Sequence, residues 1–474
     1  MSCGRRSVVL GLEVNMDNAI ISELKQAVGG DGHISTRPED LAAYAYDGTW
    51  AEVQPDVVIH PQTTAEVAAV LRIADGRRIP VVPRGAATGL AGAAVPVQGS
   101  ICLNMARMNR ILEISTADTL AVAQPGVVTY DLQQAVEKYG LFYPPDPASV
   151  YQCTLGGNVA TNAGGPRCLK YGVTADYVLG LTVVLPGGHV MRTGGRTIKD
   201  VAGYNLTQLF IGSEGTLGVV TEITVRLIPK PAAELTALAA FPSLADACTA
   251  VGNILQAGIV PLVTEIMDQG TTKAVEDFKH LGLPTDVEAT LLVAVDGDAD
   301  LIQKEIVIVA DILKKSGARE VRPAKTEEES EALWDARRSV SPSIMRLARN
   351  KLSEDIAVPR SQIPAMVARL QEIARAHDVR IVVYGHIGDG NLHPTVLCDR
   401  RDGALMKRVE KAAGEILEAA VSLGGTLTGE HGIGIFKRDH VIGGLDPVKL
   451  AWMMAIKQLF DPNNIMNPGK KLPG

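Results

Sequence analysis

Three histidines and one glutamate stand in two short glycine-rich motifs of this 474-residue chain. His386 and His393 flank an IGDGN turn in YGHIGDGNLHPTV, and Glu430 and His431 are adjacent in TGEHGIG. Two imidazoles and one carboxylate are a common ligand set for a catalytic divalent metal with open positions. The neighbouring His431 is then free to act as a base. The remaining histidines lie outside such motifs and are predicted to be structural, which is the default for a single histidine.

A pair of arginines suggests a site for an anionic group. Arg337 and Arg338 lie in ALWDARRSV, which is predicted to be helical. A guanidinium fits a carboxylate through two parallel hydrogen bonds. A solvated helix face explains the pattern equally well.

The segment IPVVPRGAATGLAGAAVP places an apolar strand before Gly85, Gly89 and Gly92. Such a loop can bring backbone N–H groups close to a diphosphate, because glycine has no Cβ in the way. A Rossmann dinucleotide site would need a helix directly after the glycines. Here Pro96 intervenes and Ser100–Met105 is predicted to be another strand. A trio of glycines by itself is more often a tight turn between strands.

Three further segments are rich in turn-forming or small residues. They are the proline-rich turn Pro144–Ser149 and the glycine-rich segments Thr154–Gly172 and Gly212–Pro229. Backbone that is nearly free of side chains at four separate places predicts a large flat ligand lying between strands.

The elements that must position these residues fall into regions of different composition. Residues 16–230 are rich in glycine and short β-type runs, and residues 231–420 alternate strands with helices. Residues 421–474 become glycine-rich again and are expected to return to the first region. Residues 1–15 are predicted to be a disordered leader. The fold class is therefore α+β, with a first domain over 16–230, a second over 231–420 and a returning segment over 421–474.

The second region predicts a ferredoxin-like arrangement. Thr236–Phe241 is predicted to be a strand, and the next helix begins after the N-cap Ser243 and ends at Gly258. Two βαβ units of this kind indicate a split-βαβ sheet with helices on one face. Arg380–Tyr384 and Leu392–Val396 are predicted to form a hairpin that folds the two imidazoles towards one another.

Taken together, the glycine-rich segments resemble the FAD-binding domain of the vanillyl-alcohol oxidase class, also called the PCMH type. The resemblance, with its C-terminal partner domain, covers almost the whole chain. It implies a pyrophosphate loop at Arg84–Gly92, flavin contacts over Pro145–Ser149 and Leu155–Asn162, and an adenine grip at Gly215–Val220. The implied cofactor-binding residues are Pro83, Arg84, Gly85, Ala86, Ala87, Thr88, Gly89, Leu90, Pro145, Asp146, Ser149, Leu155, Gly156, Gly157, Ala160, Thr161, Asn162, Gly165, Gly215, Gly218, Val220 and Asn467.

The two histidine motifs resemble the C-terminal FAD-linked oxidase domain of glycolate oxidases, D-lactate dehydrogenases and D-2-hydroxyglutarate dehydrogenases. The resemblance implies that His386, His393 and Glu430 hold a divalent metal, commonly zinc, and that His431 is the base. It also selects Arg337 to bind the substrate carboxylate, with assistance from Lys351.

Family members that tether FAD covalently use a histidine in the pyrophosphate loop or a cysteine further along. The loop of this chain offers Ala86, Ala87 and Thr88 instead, and neither Cys153 nor Cys168 matches a tether position. FAD is therefore expected to bind without a covalent link.

The sequence thus predicts FAD-dependent oxidation of a small 2-hydroxy acid, D-lactate or glycolate, through metal-assisted proton abstraction and hydride transfer to flavin N5. Ser341 and Thr395 stand at positions where the D-2-hydroxyglutarate enzymes would offer other polar groups. This difference favours a small substrate over D-2-hydroxyglutarate. A D-2-hydroxyglutarate dehydrogenase, a non-catalytic flavin electron-transfer subunit and a metal-free alcohol oxidase stay as alternatives.

Clustered thiolates, a haem signature and a nicotinamide site are missing from the sequence, so a separate partner is expected to take the electrons. An iron–sulfur subunit or an electron-transferring flavoprotein fits this role.

Composition excludes several other classes. The net charge of −7 argues against a nucleic-acid partner. No apolar run approaches the ~20 residues of a membrane-spanning helix. The 6 cysteines are scattered, which fits reduced thiols better than a disulfide framework. A cytoplasmic protein is expected, with any association with a membrane made through a partner.

Overall fold

The structure, a computed structural model, describes residues 16–473, so the expected leader over residues 1–15 lies outside it. The first half of the chain consists of short strands and helices. In order these are α1 (Asn18–Ala27), β1 (Ile34–Ser35), α2 (Pro38–Ala42), β2 (Val57–Ile59), α3 (Thr64–Arg77), β3 (Val81–Arg84), β4 (Ile101–Asn104), β5 (Ile111–Ser115), β6 (Leu120–Ala123), α4 (Thr129–Glu137), β7 (Leu141–Phe142), α5 (Leu155–Thr161), α6 (Cys168–Tyr171), β8 (Val178–Val184), β9 (Val190–Gly194), α7 (Leu206–Phe210), β10 (Val219–Arg226) and β11 (Ile228–Pro229).

These strands form a four-stranded sheet, β1-β2-β4-β3, and a five-stranded antiparallel sheet, β5-β6-β10-β8-β9. Strands β3 and β4 are adjacent and parallel. Parallel neighbours cannot be joined by a hairpin, because the chain must return to the edge from which it started. The glycine-rich loop between Arg84 and Ile101 is therefore a crossover connection, and it runs over the edge of the sheet where a ligand can reach its backbone.

The second half supplies the remaining elements. They are β12 (Ala233–Phe241), α8 (Leu244–Gln256), β13 (Val263–Asp268), α9 (Gln269–Lys279), β14 (Ala289–Gly297), α10 (Ala299–Lys315), β15 (Glu320–Pro323), α11 (Glu327–Arg338), α12 (Val340–Ile344), β16 (Asn350–Ser353), β17 (Ile356–Ala357), α13 (Ile363–Ala376), β18 (Arg380–His386), β19 (Asn391–Cys398), α14 (Gly403–Ser422), α15 (Val441–Gly444) and α16 (Pro447–Phe460).

One large antiparallel sheet organises this half, in the order β15-β12-β14-β13-β18-β19-β16. Its first four strands have the ferredoxin-like order that the sequence predicts, and β18 and β19 extend it. The expectation of helices on one face is wrong. Helices α8, α10, α13 and α14 bury one face of the sheet, and α9, α11 and α12 bury the other. Strand β14 is buried from Ala289 to Asp296 without alternation, as a strand covered on both faces must be.

The segment after α16 returns to the first sheet. The amide of Val81 donates to the carbonyl of Ile465 at 2.7 Å, and the amide of Asn467 donates to the carbonyl of Val81 at 2.8 Å. Both bonds pair the returning segment with the first residue of β3, the strand that leads into the glycine-rich loop. Among the described residues, none of the helices is both long and apolar enough to cross a bilayer. The described cysteines are all free thiols.

Candidate active site

The β18–β19 hairpin brings His386 and His393 together. The strands pair antiparallel, with His386 opposite Asn391 and Tyr384 opposite His393. The two histidines are therefore two positions apart along the paired strands and project from the same face of the sheet. Their ring centroids lie 5.2 Å apart, and both side chains are buried. The predicted hairpin and the approach of its imidazoles are confirmed.

The loop that carries Glu430 and His431 is held by one buried carboxylate, Asp355. Its Oδ2 accepts hydrogen bonds from Thr428 Oγ1 at 2.6 Å, from the Gly429 amide at 2.9 Å and from the amides of Glu430 and His431 at 3.0 and 2.9 Å. Four donors on one oxygen fix the backbone of the loop and therefore the direction of the Glu430 side chain. Sequence reasoning missed Asp355, although a charged residue beside the apolar IAV run was a usable signal.

Residues outside this loop stabilise the charge of Asp355 as well. Its Oδ1 accepts from Asn391 Nδ2 at 2.7 Å, and Lys437 Nζ lies 3.9 Å from Oδ2. Burial alone would raise the pKa of Asp355, but His431, Lys437 and His393 outweigh it and hold that pKa well below its usual range. The carboxylate is therefore charged; its Oδ2 is committed to the loop and its Oδ1 to Asn391.

The three predicted ligands meet at one point. Glu430 Oε1 lies 3.5 Å from His386 Nε2 and 3.4 Å from His393 Nε2. Two ligands of one tetrahedral zinc ion, each about 2.1 Å from it, would be about 3.4 Å apart. The donor set and its spacing therefore fit a zinc-sized divalent cation. A second cluster, Asp355 with His393 and His431, is also compact, but the oxygens of Asp355 are already taken by protein donors.

Glu265 binds the far side of His386. Its Oε1 accepts from His386 Nδ1 and its Oε2 accepts from Arg337 Nε, and the carboxylate is 1% exposed. Burial acts to raise the pKa of Glu265, yet Arg337 and His386 together lower it. The sequence analysis missed Glu265. Its signal was a charged residue in the middle of strand β13, next to the apolar Ile266 and Met267.

His431 has the environment of a neutral base. Its ring stacks on that of His393, with centroids 5.1 Å apart and planes at 6°. Burial lowers the pKa of His431 to about 4, and the charge of His393 acts in the same direction. The imidazole is therefore unprotonated near pH 7 and can accept a proton.

A long cleft in the first half of the molecule runs along the crossover loop and reaches Glu430 and His431. Most of the predicted cofactor residues line it: Pro83, Arg84, Gly85, Ala86, Ala87, Thr88, Gly89, Leu90, Ser149, Gly156, Gly157, Ala160, Thr161, Gly215, Gly218 and Val220. A Cβ at Gly164 would lie 2.9 Å from Glu430 Oε2, so glycine there lets the two halves of the site approach.

Other predicted cofactor residues lie beside the cleft and do not line it. Leu155 is fully buried in the core, and Asn162 Oδ1 accepts from the Ala175 amide at 2.9 Å. Gly165 packs on the carbonyl of Asp146. Asp146 itself pairs with Arg167 at 3.3 Å and faces a second cavity.

Pro145 and Asn467 also stand behind the cleft. The Pro145 carbonyl accepts from Gln133 Nε2 at 2.9 Å. Asn467 Nδ2 donates to the carbonyls of Ala93 and Glu214, at 3.0 and 2.7 Å, and both of those residues line the cleft. Asn467 thus supports the wall of the cleft.

Glu214 was also missed by the sequence analysis. It is buried, and its two oxygens accept from the amides of Ile433 and Gly434 at 2.9 and 2.7 Å. Glu214 therefore connects the loop that carries His431 to the wall of the cleft. A glutamate in the sequence GSEGTLG gave no sign of this role, because its partners lie 219 and 220 positions away.

The second cavity, of about 840 Å³, adjoins the cleft at Glu430 and His431. Arg337 and Lys351 line it. Lys351 Nζ donates to Ser341 Oγ at 2.7 Å, and burial lowers the pKa of Lys351 to about 8. The guanidinium of Arg337 lies 5.3 Å from the ring centroid of Tyr384. The structure therefore brings all three predicted catalytic residues to the walls of this cavity.

Comparisons with known proteins match both halves of the chain to known families. Residues 230–471 match the family described as FAD linked oxidases, C-terminal domain, and residues 55–194 match the family described as FAD binding domain. The chain is 47% identical over 428 residues to the glycolate oxidase subunit GlcD of Bacillus subtilis (strain 168), which covers 90% of this chain and 91% of that protein. It is 36% identical over 430 residues to a D-lactate dehydrogenase of Anaerostipes hadrus. That match covers 89% of this chain and 90% of that protein.

Among solved structures, p-cresol methylhydroxylase with substrate bound superposes with a TM-score of 0.79 at 19% identity, covering 96% of each chain. At this identity the likeness shows the fold alone. The α+β class with a PCMH-type FAD-binding fold is thereby confirmed.

Proposed function

Since the chain belongs to the FAD-linked oxidases, flavoenzymes that act on CH–OH groups, we propose that it oxidises a small 2-hydroxy acid, D-lactate or glycolate, to the 2-oxo acid. The observation that carries the proposal is the position of Glu430 and His431, which border both the FAD cleft and the second cavity. A substrate in that cavity would meet the flavin, the base and the metal ligands at one place.

The chemistry converts a C–OH carbon that bears at least one hydrogen into a carbonyl. His431 takes the proton of the 2-hydroxyl, and the hydrogen on C2 leaves with both electrons of its bond as the C=O bond forms. Bound FAD supplies the two-electron acceptor, and a bound divalent cation supplies a Lewis acid that lowers the pKa of the hydroxyl. The burial that keeps His431 unprotonated makes it competent for its step.

His386, His393 and Glu430 would hold the cation. The distances of 3.4 and 3.5 Å between Glu430 Oε1 and the two imidazole nitrogens support this assignment. Zinc is the metal we propose, because two nitrogens and one carboxylate oxygen with an open position suit it.

Arg337 and Lys351 would bind the carboxylate of the substrate. Arg337 keeps its two Nη groups for an anion, since its bond to Glu265 uses Nε. Lys351 has a neutral hydroxyl, Ser341 Oγ, as its hydrogen-bond acceptor, so its ammonium is available to an anion as well. One carboxylate between these cations fits a substrate such as D-lactate or glycolate.

FAD would bind without a tether and pass its electrons to a separate protein. The loop residues Ala86, Ala87 and Thr88 line the cleft and offer no group that forms a covalent link to flavin. The B. subtilis relative is named as a subunit, which supports a separate partner, and we propose an iron–sulfur protein or an electron-transferring flavoprotein in that role. Through such a partner the protein would associate with a membrane.

The test is anaerobic. The FAD-loaded protein is mixed with glycolate and with the D- and L-forms of longer 2-hydroxy acids, and bleaching of the flavin absorbance is followed. We expect rapid bleaching by D-lactate or glycolate and little by L-lactate or D-2-hydroxyglutarate. Absence of bleaching by every 2-hydroxy acid would refute the proposal, and fastest bleaching by D-2-hydroxyglutarate would replace the substrate.

A further inference from the structure

Glu265 occupies an unusual place for a carboxylate. It lies in the middle of strand β13, between strands β14 and β18 of the large sheet, and is 1% exposed. The register of β13 on β18 sets Glu265 directly opposite His386. Directly paired residues in antiparallel strands have Cβ atoms about 5 Å apart on one face, so the strand pairing itself delivers the carboxylate to the imidazole.

The two oxygens of this carboxylate have different partners. Oε1 accepts from His386 Nδ1, and Oε2 accepts from Arg337 Nε. A hydrogen bond from Nδ1 fixes the tautomer of His386 in which Nε2 carries a lone pair. That Nε2 is the atom that lies 3.5 Å from Glu430 Oε1.

Arg337 comes from a different layer, because it lies on helix α11, which packs with α9 and α12 on one face of the sheet. Its bond to Glu265 and its position over the ring of Tyr384 fix the guanidinium plane. The Nη groups then remain for an anion in the cavity that Arg337 lines. A single side chain thus sets the orientation of a metal ligand and of a substrate-binding cation.

We infer that Glu265 is a positioning residue that couples the metal site to the substrate carboxylate site, through His386 on one oxygen and Arg337 on the other. The inference rests on the proposed metal-dependent function. It predicts that a change at Arg337, which is not a metal ligand, alters metal affinity by way of Glu265.

The first test is zinc affinity, measured by competition with a chromophoric chelator on FAD-loaded protein. The E265Q side chain has the same shape, but its amide nitrogen donates and cannot accept the second hydrogen bond. We expect the Kd for zinc to rise about 10- to 100-fold while FAD stays bound. The matched control is E234Q, because Glu234 accepts from Trp334 Nε1 on the same helix as Arg337 at 3.1 Å and has no bond to His386. Its zinc Kd should match that of the wild type.

The second test is a double-mutant cycle. R337M should weaken zinc binding at least about twofold in the wild-type background, because Glu265 loses its second anchor, and less in the E265Q background. Equal effects in the two backgrounds, or no effect of R337M on zinc, would overturn the coupling. A purely structural role for Glu265 would lower the melting temperature of E265Q and leave this cycle additive.

The outcomes distinguish failure of this inference from failure of the proposed metal-dependent function. If the wild type binds zinc no better than an H393A variant, the proposed metal-dependent function fails. If the wild type binds zinc and E265Q binds it equally well, only the role of Glu265 fails. Should E265Q not retain FAD, E265D replaces it: its shorter carboxylate can reach one partner but not both, and an unchanged zinc Kd would again count against the role.

Discussion

The backbone amide of Glu430 donates to Asp355 Oδ2 at 3.0 Å across 75 positions of sequence. The same oxygen accepts from three further donors of the loop, so one buried carboxylate determines where a predicted metal ligand stands. The candidate site therefore depends on a residue that is not among the predicted metal ligands and lines neither of the two cavities.

Replacing Asp355 with asparagine should destabilise the protein. The variant loses the charge that Lys437, itself buried, faces at 3.9 Å, and it loses acceptor capacity for the loop amides. Breaking a buried pair of this kind costs about 3 to 5 kcal/mol. The measurement is the free energy of unfolding in urea. The exposed Asp118, changed to asparagine, is the control and should shift it by less than about 0.5 kcal/mol. Equal values for both variants would contradict the anchoring role.

Removing the base should abolish turnover without releasing FAD. We expect His431→Gln to lower kcat by about 10²- to 10⁴-fold, the usual contribution of a general base, while the flavin spectrum persists. Steady-state turnover with an artificial dye acceptor measures this. His377, which pairs with Glu415 at 2.9 Å at the end of α13, provides the control as His377→Gln with normal turnover. Retained turnover in His431→Gln would favour the non-catalytic flavin subunit.

Removing the metal should separate binding of the flavin from catalysis. Treatment with a strong chelator is expected to lower the rate of flavin reduction by at least about 10²-fold, because the hydroxyl loses its Lewis acid. The FAD content should not change, since the cleft holds FAD through other residues, and added zinc should restore the rate. A chelated enzyme that is reduced at the original rate would favour the metal-free alcohol oxidase alternative.

Affinity for the substrate should depend on the charge of Lys351. Burial lowers the pKa of this lysine to about 8, so the side chain is cationic below that pH and neutral above it. The value of kcat/KM, which reports the free enzyme, should therefore fall as the pH rises through about 8. Lys351→Arg keeps its charge and should remove this decline, and Lys351→Met should have a low and flat profile over the same range. A wild-type profile that stays level from pH 7 to 9.5 would rule out this role.

Local patterns were sufficient to predict the elements that carry the site. Strand Ala233–Phe241 and helix Leu244–Gln256, with Ser243 as N-cap, follow the predicted course. Helix α14 buries Val409, Ala412, Ile416 and Ala420 at the spacing of an amphipathic helix. These features arise from contacts within a few residues, which a single sequence displays directly. The domain boundaries near residues 230 and 420, and the roles of the individual site residues, stay predictions.

What the sequence could not show depends on contacts between distant residues. Glu265 and His386 are 121 positions apart, and their pairing follows from the placement of β13 beside β18. Likewise, helices on both faces of the sheet could not be recognised from strands such as β14, because a continuous apolar run looks the same in a two-sided sheet and in a buried helix.

The return of the chain to strand β3 has a consequence for biosynthesis. Asn467 supports the wall of the FAD cleft through the carbonyl of Ala93, which precedes it by 374 positions. At about 5 to 20 residues per second, a ribosome needs roughly 20 to 75 s to cover that interval. For that time the nascent first half lacks a finished cradle for its dinucleotide, so we expect the flavin to be captured only once nearly all of the polypeptide has emerged.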